Sequence, residues 1–317
     1  MSLSPSGLSI PKISTHKRSN LHQALVMVTA YDAPGAAMAD RAGVDIILVG
    51  DTLAMVVLGR PDTLSLTLEE MAHHVAAVHQ ATPRCPVVAD MPWITYHLSP
   101  ADTVVNAAVL VRAGARAVKL EGGRHRLPMI EALINAEIPV MGHLGLTPQS
   151  LHTMGGYRVQ ARGAPEADAL VCDAIALAEA GCFALVLEGV PSVVAEVVTR
   201  SVRCPTIGIG AGPHCDGQVL VLHDVLGLGL PGGVGDRSAP AAAESGASAT
   251  SFAGQSPRFI RRYAELSRLG SEALVAWAAD VRSGEFPSSA ESYGSPELAE
   301  WSGNQRRSPG SAPTAAS

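Results

Sequence analysis

Short apolar runs, each ended by a polar or ionisable residue or by glycine, recur along the chain, and a longer stretch with helical periodicity follows most of them. Near-continuous apolar strands that alternate with helices indicate a parallel sheet buried on both faces. Eight such units predict an α/β protein with a closed (β/α)8 TIM barrel. The runs are VMVTA (26–30), DIILVG (45–50), PVVAD (86–90), RAVKLEGG (116–123), IPVMGHLG (138–145), FALVLEG (183–189), PTIGIGAG (205–212) and VLVLHD (219–224).

The helices between these strands are marked by capping residues. Thr67 and Glu70 form a capping-box pattern, and Ser99 followed by Pro100 offers an N-cap with proline at the first helical position. Gly43 stands just past a helical run, where a left-handed residue ends a helix, and Gly114 and Gly181 occupy equivalent places. Further helices are predicted near 33–42, 124–136, 166–180 and 191–202.

Composition agrees with one large catalytic domain. The 317 residues are 47% hydrophobic, and (β/α)8 barrels of ~250 residues or more form single domains. A net charge of −6 argues against a nucleic-acid or anionic-membrane partner, and no apolar stretch is long enough to span a bilayer. Five cysteines without CxxC spacing suit reduced thiols. We therefore expect a soluble, cytoplasmic enzyme that acts on small molecules.

Low-complexity and polar segments set the expected boundaries. Residues 1–22 are predicted to form a flexible N-terminal arm, and 23–293 the catalytic domain. Residues 228–255, rich in Gly, Ala, Ser and Pro, form a low-complexity insertion, and 294–317 a disordered tail. Two extra C-terminal helices are predicted between these segments, in PRFIRRYAELSRLG and SEALVAWAADVRSG.

Carboxylates at the ends of three successive strands indicate a metal site. The carboxyl ends of barrel strands meet at one mouth, so Asp51, Asp90 and Glu121 are expected to lie close together. The three carboxylates are oxygen donors, and no histidine or cysteine accompanies them at these strand ends. Such a set favours Mg²⁺, which often binds only one or two carboxylates directly. Glu121 can therefore bind the metal directly or through a water molecule. Lys119 points to the same side of its strand as Glu121 and can hold a substrate carboxylate.

Each of these residues also has a structural explanation. Asp51 or Asp90 alone is as well explained as a helix N-cap, and Lys119 as an ion-pair partner of Glu121. His143 taken alone is better explained as a hydrogen-bonded structural histidine. Glu188 favours a functional role, because an unpaired charge in an apolar mouth is costly.

Other polar clusters are assigned to structure. We assign His73, His74 and His79 to a solvated helix face, and His223 with Asp224 to a structural role. The glycines of GIGAG lack GxGxxG spacing and precede a proline, which argues against dinucleotide binding. A tight turn or a close approach of the backbone to a ligand stays open there.

Several longer blocks resemble the ketopantoate hydroxymethyltransferase family. The resemblance covers roughly residues 22–227 and 257–293. GHLGLTPQS is the kind of long, specific block on which it depends. The blocks are TAYD (29–32), VGDTLAMVVLG (49–59), ADMPW (89–93), VKLEGG (118–123), GHLGLTPQS (142–150), GGYRVQ (155–160), LVLEGVP (185–191) and IGIGAG with DGQVLVLHD.

The resemblance implies transfer of a hydroxymethyl group from 5,10-methylenetetrahydrofolate to 3-methyl-2-oxobutanoate, through a Mg²⁺-stabilised enolate, to give 2-dehydropantoate for pantothenate synthesis. It implies a homo-oligomer, commonly a decamer. Its site roles fall on matching positions of this chain: Asp51, Asp90 and Glu121 for the metal, Asp51, Thr52, Asp90, Lys119 and His143 for the oxo acid, and Glu188 as the catalytic base.

Two departures and two competing hypotheses accompany the resemblance. Thr52 stands where the family usually has serine, and 228–255 matches nothing in the family. A Mg²⁺-dependent lyase or mutase would also handle enolates of oxo acids, but the cysteine-bearing KKCGH loop typical of that group is missing from this sequence. A catalytically silent binding scaffold is disfavoured because Lys119 and Glu188 are both present.

Overall fold

Eight parallel strands close into a barrel in the order in which they occur along the chain. The computed structural model describes residues 7–18, 23–228, 266–299 and 301. The strands are β1 (Leu25–Thr29), β2 (Ile46–Val49), β3 (Val87–Asp90), β4 (Ala117–Glu121), β5 (Val140–Gly145), β6 (Ala184–Glu188), β7 (Thr206–Ile209) and β8 (Gly217–Leu220). The predicted TIM barrel is confirmed.

Helices surround the barrel and begin where the capping residues predict. Thr67 and Glu70 form both bonds of a capping box, and the Ser99 side chain accepts from the Asp102 backbone N–H. Gly43 ends its helix in the left-handed conformation. The helices are α1 (Ile10–Ser14), α2 (Ala33–Ala42), α3 (Leu53–Val56), α4 (Leu68–Gln80), α5 (Pro100–Arg112), α6 (Leu127–Asn135), α7 (Leu151–Met154), α8 (Ala164–Glu179), α9 (Ser192–Ser201), α10 (Leu222–Val225) and α11 (Leu266–Ser283).

The last part of the barrel departs from strict alternation. A loop without a helix, residues 210–216, joins β7 to β8, although these strands still pair in parallel. The eighth strand also begins and ends earlier than the sequence pattern predicts, so His223 and Asp224 lie in α10 rather than at the strand end. The apolar sequence run continues past Leu220 because Leu222, the first residue of α10, is also buried.

Apolar side chains form two separate cores. One lies between the sheet and the surrounding helices. The other fills the interior of the barrel with strand residues such as Met27, Ile46 and Met141. Because the interior is filled, the room for a ligand lies at the mouth of the barrel, where the strands end.

The N-terminal segment closes the opposite end of the barrel. Ile13 of α1 is fully buried and belongs to the interior core. Lys17 then pairs with Asp216, at a distance of 2.6 Å from Nζ to Oδ2. The prediction of a flexible arm over 1–22 is therefore wrong for residues 10–18, because burying Ile13 and pairing Lys17 hold this segment against the barrel.

The C-terminal predictions need two corrections. A single helix, α11, runs through Gly270 where two helices were predicted, and it packs against α2 and β1. The predicted start at Pro257 lies outside the described residues, as does the insertion 228–255 apart from Leu228. In the predicted disordered tail, Leu298 is buried and the Trp301 indole donates to Asp168 Oδ1, so this part is attached to the barrel.

Two findings concern the thiols and the helices. All five cysteines are free, with four buried and Cys172 exposed. Burial raises the pKa of the Cys204 thiol to about 11, so this side chain behaves as a small apolar group.

Within the described ranges, no helix is both long and apolar enough to cross a membrane.

Candidate active site

A cavity of about 500 Å³ opens at the mouth of the barrel. Its walls come from the ends of the strands and from the loops that follow them. The cavity brings together every site residue predicted from the sequence: Asp51, Thr52, Asp90, Lys119, Glu121, His143 and Glu188.

The register of the sheet sets these residues side by side. Asp90 of β3 lies opposite Lys119 of β4, and Glu121 of β4 lies opposite His143 of β5. Lys119 and Glu121 are two residues apart, and both line the cavity as their spacing predicts. The charged groups therefore form one layer at the top of the filled barrel.

Asp51 and Asp90 are bound to each other rather than to helix termini. The Asp51 backbone N–H donates to Asp90 Oδ2 at 3.0 Å. The residue at the N-cap of α3 is Thr52, without a side-chain cap bond, and α5 is capped by Ser99. The N-cap explanation is therefore wrong for both aspartates, which are buried in the cavity wall.

Lys119 forms its ion pair with Asp90, at 2.9 Å from Nζ to Oδ1, rather than with Glu121. Both side chains are buried. Burial lowers the pKa of Lys119, but the charges of Asp90, Glu121 and Asp51 outweigh this effect and raise it above its ordinary value. The lysine is consequently charged at neutral pH.

His143 lies between two acidic side chains. Its Nδ1 is 3.3 Å from Glu121 Oε1 and its Nε2 is 3.1 Å from Glu188 Oε2. Burial and Lys119, whose Nζ is 3.2 Å from Nδ1, lower the pKa of His143, but the two glutamates outweigh them and raise it to about 9. The histidine thus joins Lys119 as a second positive charge in this layer.

The carboxylates are nevertheless crowded. Burial, followed by the charges of Asp90 and Glu121, raises the pKa of Asp51 well above its ordinary value. Burial also raises the pKa of Asp90, although Lys119 opposes the shift. Glu121 differs: burial raises the pKa of its carboxyl, but His143, Lys119 and the Gln149 backbone N–H together outweigh this effect and lower it. A further cation beside Asp51 and Asp90 would relieve this repulsion.

A divalent cation fits two of the three predicted ligands. In the part of the chain that the structure describes, no three acidic, histidine or cysteine side chains converge as a ready metal cage. Mg²⁺ does not require one, because it commonly keeps several waters and binds only one or two carboxylates. Asp51 and Asp90 supply such a pair of hard oxygen donors. Glu121 has one oxygen bound by the Gln149 backbone N–H and the other beside His143.

Three residues around this layer had no role in the sequence analysis. Gln149 donates from Nε2 to Asp51 Oδ2 at 2.9 Å, and Tyr96 Oη donates to Gln149 Oε1 at 2.7 Å. Tyr31 Oη lies 2.8 Å from Thr52 Oγ1. Tyr31 and Gln149 stand in blocks that carry the resemblance, TAYD and GHLGLTPQS, but a tyrosine or an amide gives no chemical signal of its own. Nothing in the sequence points to Tyr96.

The polar clusters assigned to structure lie mostly away from this layer. His73 and His79 are exposed, whereas His74 is half-buried with Nδ1 2.7 Å from the Tyr31 carbonyl oxygen. His223 packs its ring against Tyr31, while Asp224 lines the cavity. In GIGAG, a side chain at Gly212 would collide with Ser192, so the glycine lets the loop pack closely against α9.

Sequence comparisons place the chain among known enzymes. The family model described as ketopantoate hydroxymethyltransferase matches residues 8–238, so the expectation that 228–255 has no match in the family is wrong for 228–238. A 3-methyl-2-oxobutanoate hydroxymethyltransferase of Nitratidesulfovibrio vulgaris (strain DP4) is 50% identical over 88% of this chain and 83% of its own length. The enzyme of that name from Moorella thermoacetica is 46% identical over 91% and 98%, and the one from Ignicoccus hospitalis 50% over 83% and 91%.

Solved structures give a more distant likeness. A lyase/mutase candidate from Burkholderia cenocepacia J2315 matches 66% of this chain and 78% of its own, with a TM-score of 0.51 and 19% sequence identity. At that identity the likeness shows the barrel fold alone.

Proposed function

The chain belongs to the ketopantoate hydroxymethyltransferase family, and on this premise we propose that it transfers a hydroxymethyl group from 5,10-methylenetetrahydrofolate to 3-methyl-2-oxobutanoate, forming 2-dehydropantoate. The observation that carries the proposal is the layer of charged residues at the barrel mouth. Residues from five separate strand ends line one cavity there. Its size suits a small oxo acid with space above for part of a larger co-substrate.

Mg²⁺ is the proposed metal, held by Asp51 and Asp90. The bonds that occupy both oxygens of Glu121 favour a role for this residue through water. When bound, the ion supplies Lewis-acid stabilisation of negative charge on the keto oxygen, typically several kcal/mol.

Lys119 and Thr52 are proposed to hold the oxo acid. Lys119 is a buried cation whose partner Asp90 would share its charge with the metal, which leaves the ammonium group able to bind the substrate carboxylate. The Thr52 hydroxyl is oriented by Tyr31. Compared with the usual serine, its additional methyl group narrows the oxo-acid subsite.

Glu188 is proposed as the base. Its side chain is 23% exposed, while those of Asp90 and Glu121 are at most 4% exposed, so it faces the open part of the cavity. The C3–H bond of the oxo acid breaks, the proton goes to the Glu188 carboxylate, and the electron pair forms the enolate. C3 then forms a bond to the methylene carbon of the donor, and water supplies the hydroxyl oxygen to the same carbon. Both bonds from that carbon to the folate nitrogens break, and the nitrogens take up the protons released from C3 and from water, so that tetrahydrofolate leaves. His143, 3.1 Å from Glu188, holds this carboxylate in place.

Hydrogen exchange at C3 tests the proposal. Wild type and Glu188→Gln are incubated with 3-methyl-2-oxobutanoate and Mg²⁺ in D₂O, and deuterium entry is followed by NMR. We expect exchange with wild type and a loss of ~10²- to 10⁴-fold in the variant, the range typical of general bases. Glu179→Gln, an exposed site on α8, is the matched control and should exchange like wild type.

The outcomes separate the hypotheses. Exchange by wild type and transfer on addition of methylenetetrahydrofolate support the hydroxymethyltransferase. Exchange without transfer would favour a lyase or mutase, and no exchange by wild type would favour a silent scaffold. Equal exchange by Glu188→Gln would remove Glu188 from the role of base and leave the overall reaction intact.

Assembly and location form the last part of the proposal. We propose a homo-oligomer with the family's decameric arrangement; exposed apolar side chains such as Leu98 and Val105, which are 73% and 65% exposed, support association. Light scattering of the purified protein tests this. A cytoplasmic location stays a prediction.

A further inference from the structure

Gln149 makes contacts with both sides of the carboxylate layer. It follows β5 in the short 3-10 turn Pro148–Ser150 and is buried. Its backbone N–H donates to Glu121 Oε2 at 3.0 Å, while its side-chain Nε2 donates to Asp51 Oδ2 at 2.9 Å. One residue thus joins carboxylates that come from strands 2 and 4.

The orientation of this amide is fixed by its other partners. Nε2 also donates to the Met91 carbonyl oxygen at 3.0 Å, which uses both of its protons. Oε1 accepts from Tyr96 Oη at 2.7 Å, and Tyr96 Oη in turn accepts from the Glu121 backbone N–H at 3.2 Å. A flipped amide would turn its oxygen toward Asp51 and the Met91 carbonyl oxygen and would lose its own three bonds. The network therefore has one satisfied arrangement.

We propose that Gln149 and Tyr96 are positioning residues that hold Asp51 and Glu121 in the arrangement that accepts a divalent cation. The inference rests on the proposed function, because that function supplies the cation. Gln149 occupies Asp51 Oδ2, and the Asp51 backbone occupies Asp90 Oδ2. Asp51 then keeps Oδ1 for the ion, while Asp90 Oδ1, which pairs with Lys119 Nζ at 2.9 Å, would be shared between the lysine and the ion.

The chemistry of an amide suits this task. A lysine or arginine at position 149 would also bond Asp51, but it would add a positive charge and compete with the metal. A neutral side-chain donor fixes the Asp51 carboxylate while leaving its negative charge for the cation. Partners that orient ligands in this way typically contribute ~10- to 100-fold to metal affinity.

Mn²⁺ binding to the metal-free protein tests the proposal without reliance on activity. Calorimetry or EPR of free Mn²⁺ gives the dissociation constant of wild type, Gln149→Met and Tyr96→Phe. We expect ~10- to 100-fold weaker binding for Gln149→Met. We expect a smaller loss, about 3- to 10-fold, for Tyr96→Phe, which retains the ring that lies under Arg126 and removes only the hydroxyl.

Gln218→Met is the matched control. Gln218 is also a buried glutamine, but it lies on β8 and donates to the Gly212 carbonyl oxygen. Its loss should leave the Mn²⁺ dissociation constant within about 2-fold of wild type. Saturating Mg²⁺ should also restore most of kcat in Tyr96→Phe, because a positioning defect weakens metal binding more than the step that follows.

The results distinguish failure of the positioning role from failure of the proposed metal. If wild type binds Mn²⁺ and both variants bind it equally well, the positioning role is wrong and the proposed function stands. If wild type binds no Mn²⁺, the metal in the proposed function is wrong and the inference fails with it. Should Gln149→Met not fold, as seen by circular dichroism, the isosteric Tyr96→Phe decides alone.

Discussion

The two ends of the barrel both bury carboxylates, but they treat them differently. At the closed end, Asp216 receives four donor contacts, from Lys17 Nζ, the Arg18 backbone, and the backbone and hydroxyl of Thr206. At the mouth, Lys119 pairs with Asp90, and the charges of Asp90 and Glu121 oppose ionisation of Asp51.

This difference separates a stabilising site from a functional one. A carboxylate with a full set of donors gains interactions on folding, whereas crowded carboxylates cost free energy until a ligand arrives. Changes at the closed end should therefore act mainly on stability. Changes at the mouth should act on stability, ligand binding and pH dependence together.

Lys119→Met should have the largest effect on stability. It removes the buried cation that Asp90 pairs with, and breaking a buried pair in this way typically costs ~3–5 kcal/mol. Urea unfolding of the metal-free protein measures the change. Lys17→Met is the counterpart at the closed end, where 34% of the lysine side chain is exposed and Asp216 keeps its backbone donors, so about 1 kcal/mol or less is expected. Similar losses at both ends would contradict the comparison.

Ile13→Ala should cost about 3 kcal/mol, because it leaves a cavity in the interior core where a fully buried side chain had been. Urea unfolding gives the value, and kcat should change little below the unfolding temperature. Ile10→Ala, at a half-buried position of the same helix, is the control and should lose less than half as much. A loss no greater than that of the control would show that α1 does not seal the barrel.

Asp216→Asn should cost about 2 kcal/mol, since it weakens charge-assisted hydrogen bonds while keeping the shape of the side chain. Thermal unfolding measures the loss, and steady-state kinetics should give kcat within about 2-fold of wild type. A large fall in kcat with unchanged stability would mean that the closed end takes part in catalysis.

Asp51→Asn should give the smallest effect and the opposite sign, a gain of about 1 kcal/mol at pH 8 without metal. The folded protein raises the pKa of Asp51 above the unfolded value near 3.8. Its contribution to stability is thus full below that value and is lost as the pH rises through the folded pKa. Asparagine does not ionise, so its advantage over wild type should grow from pH 4 to pH 8. Urea unfolding at both pH values, with EDTA, tests this. A constant difference would contradict it.

Much of the fold could be predicted because parallel strands leave a strong pattern. Buried strands such as Ile46–Val49 are continuously apolar, and caps such as Thr67 mark the helices. Short elements leave less signal. Helix α1 presents few apolar residues, so burial of Ile13 could not be foreseen. The loop 210–216 has the sequence GAGPHCD, whose glycines and proline show no helical pattern.

The candidate site also has a part that could be predicted from the sequence and a part that could not. Charged residues at strand ends, such as Asp90 and Lys119, could be predicted to meet because the strands converge. Which oxygen each group uses depends on the register and on uncharged neighbours. Gln149 and Tyr96 lie on loops and gain their importance only from contacts across the barrel, which a linear sequence does not display.

The closed lower end turns the cavity into a dead end. Ile13 and the filled interior block the route beneath Asp51 and Lys119, so within the described residues a ligand at that depth must leave the way it came in. Two substrates of unequal size that use this single entrance have to bind one after the other. On the proposed function, the small oxo acid would bind before the larger folate co-substrate, and tetrahydrofolate would leave before the product.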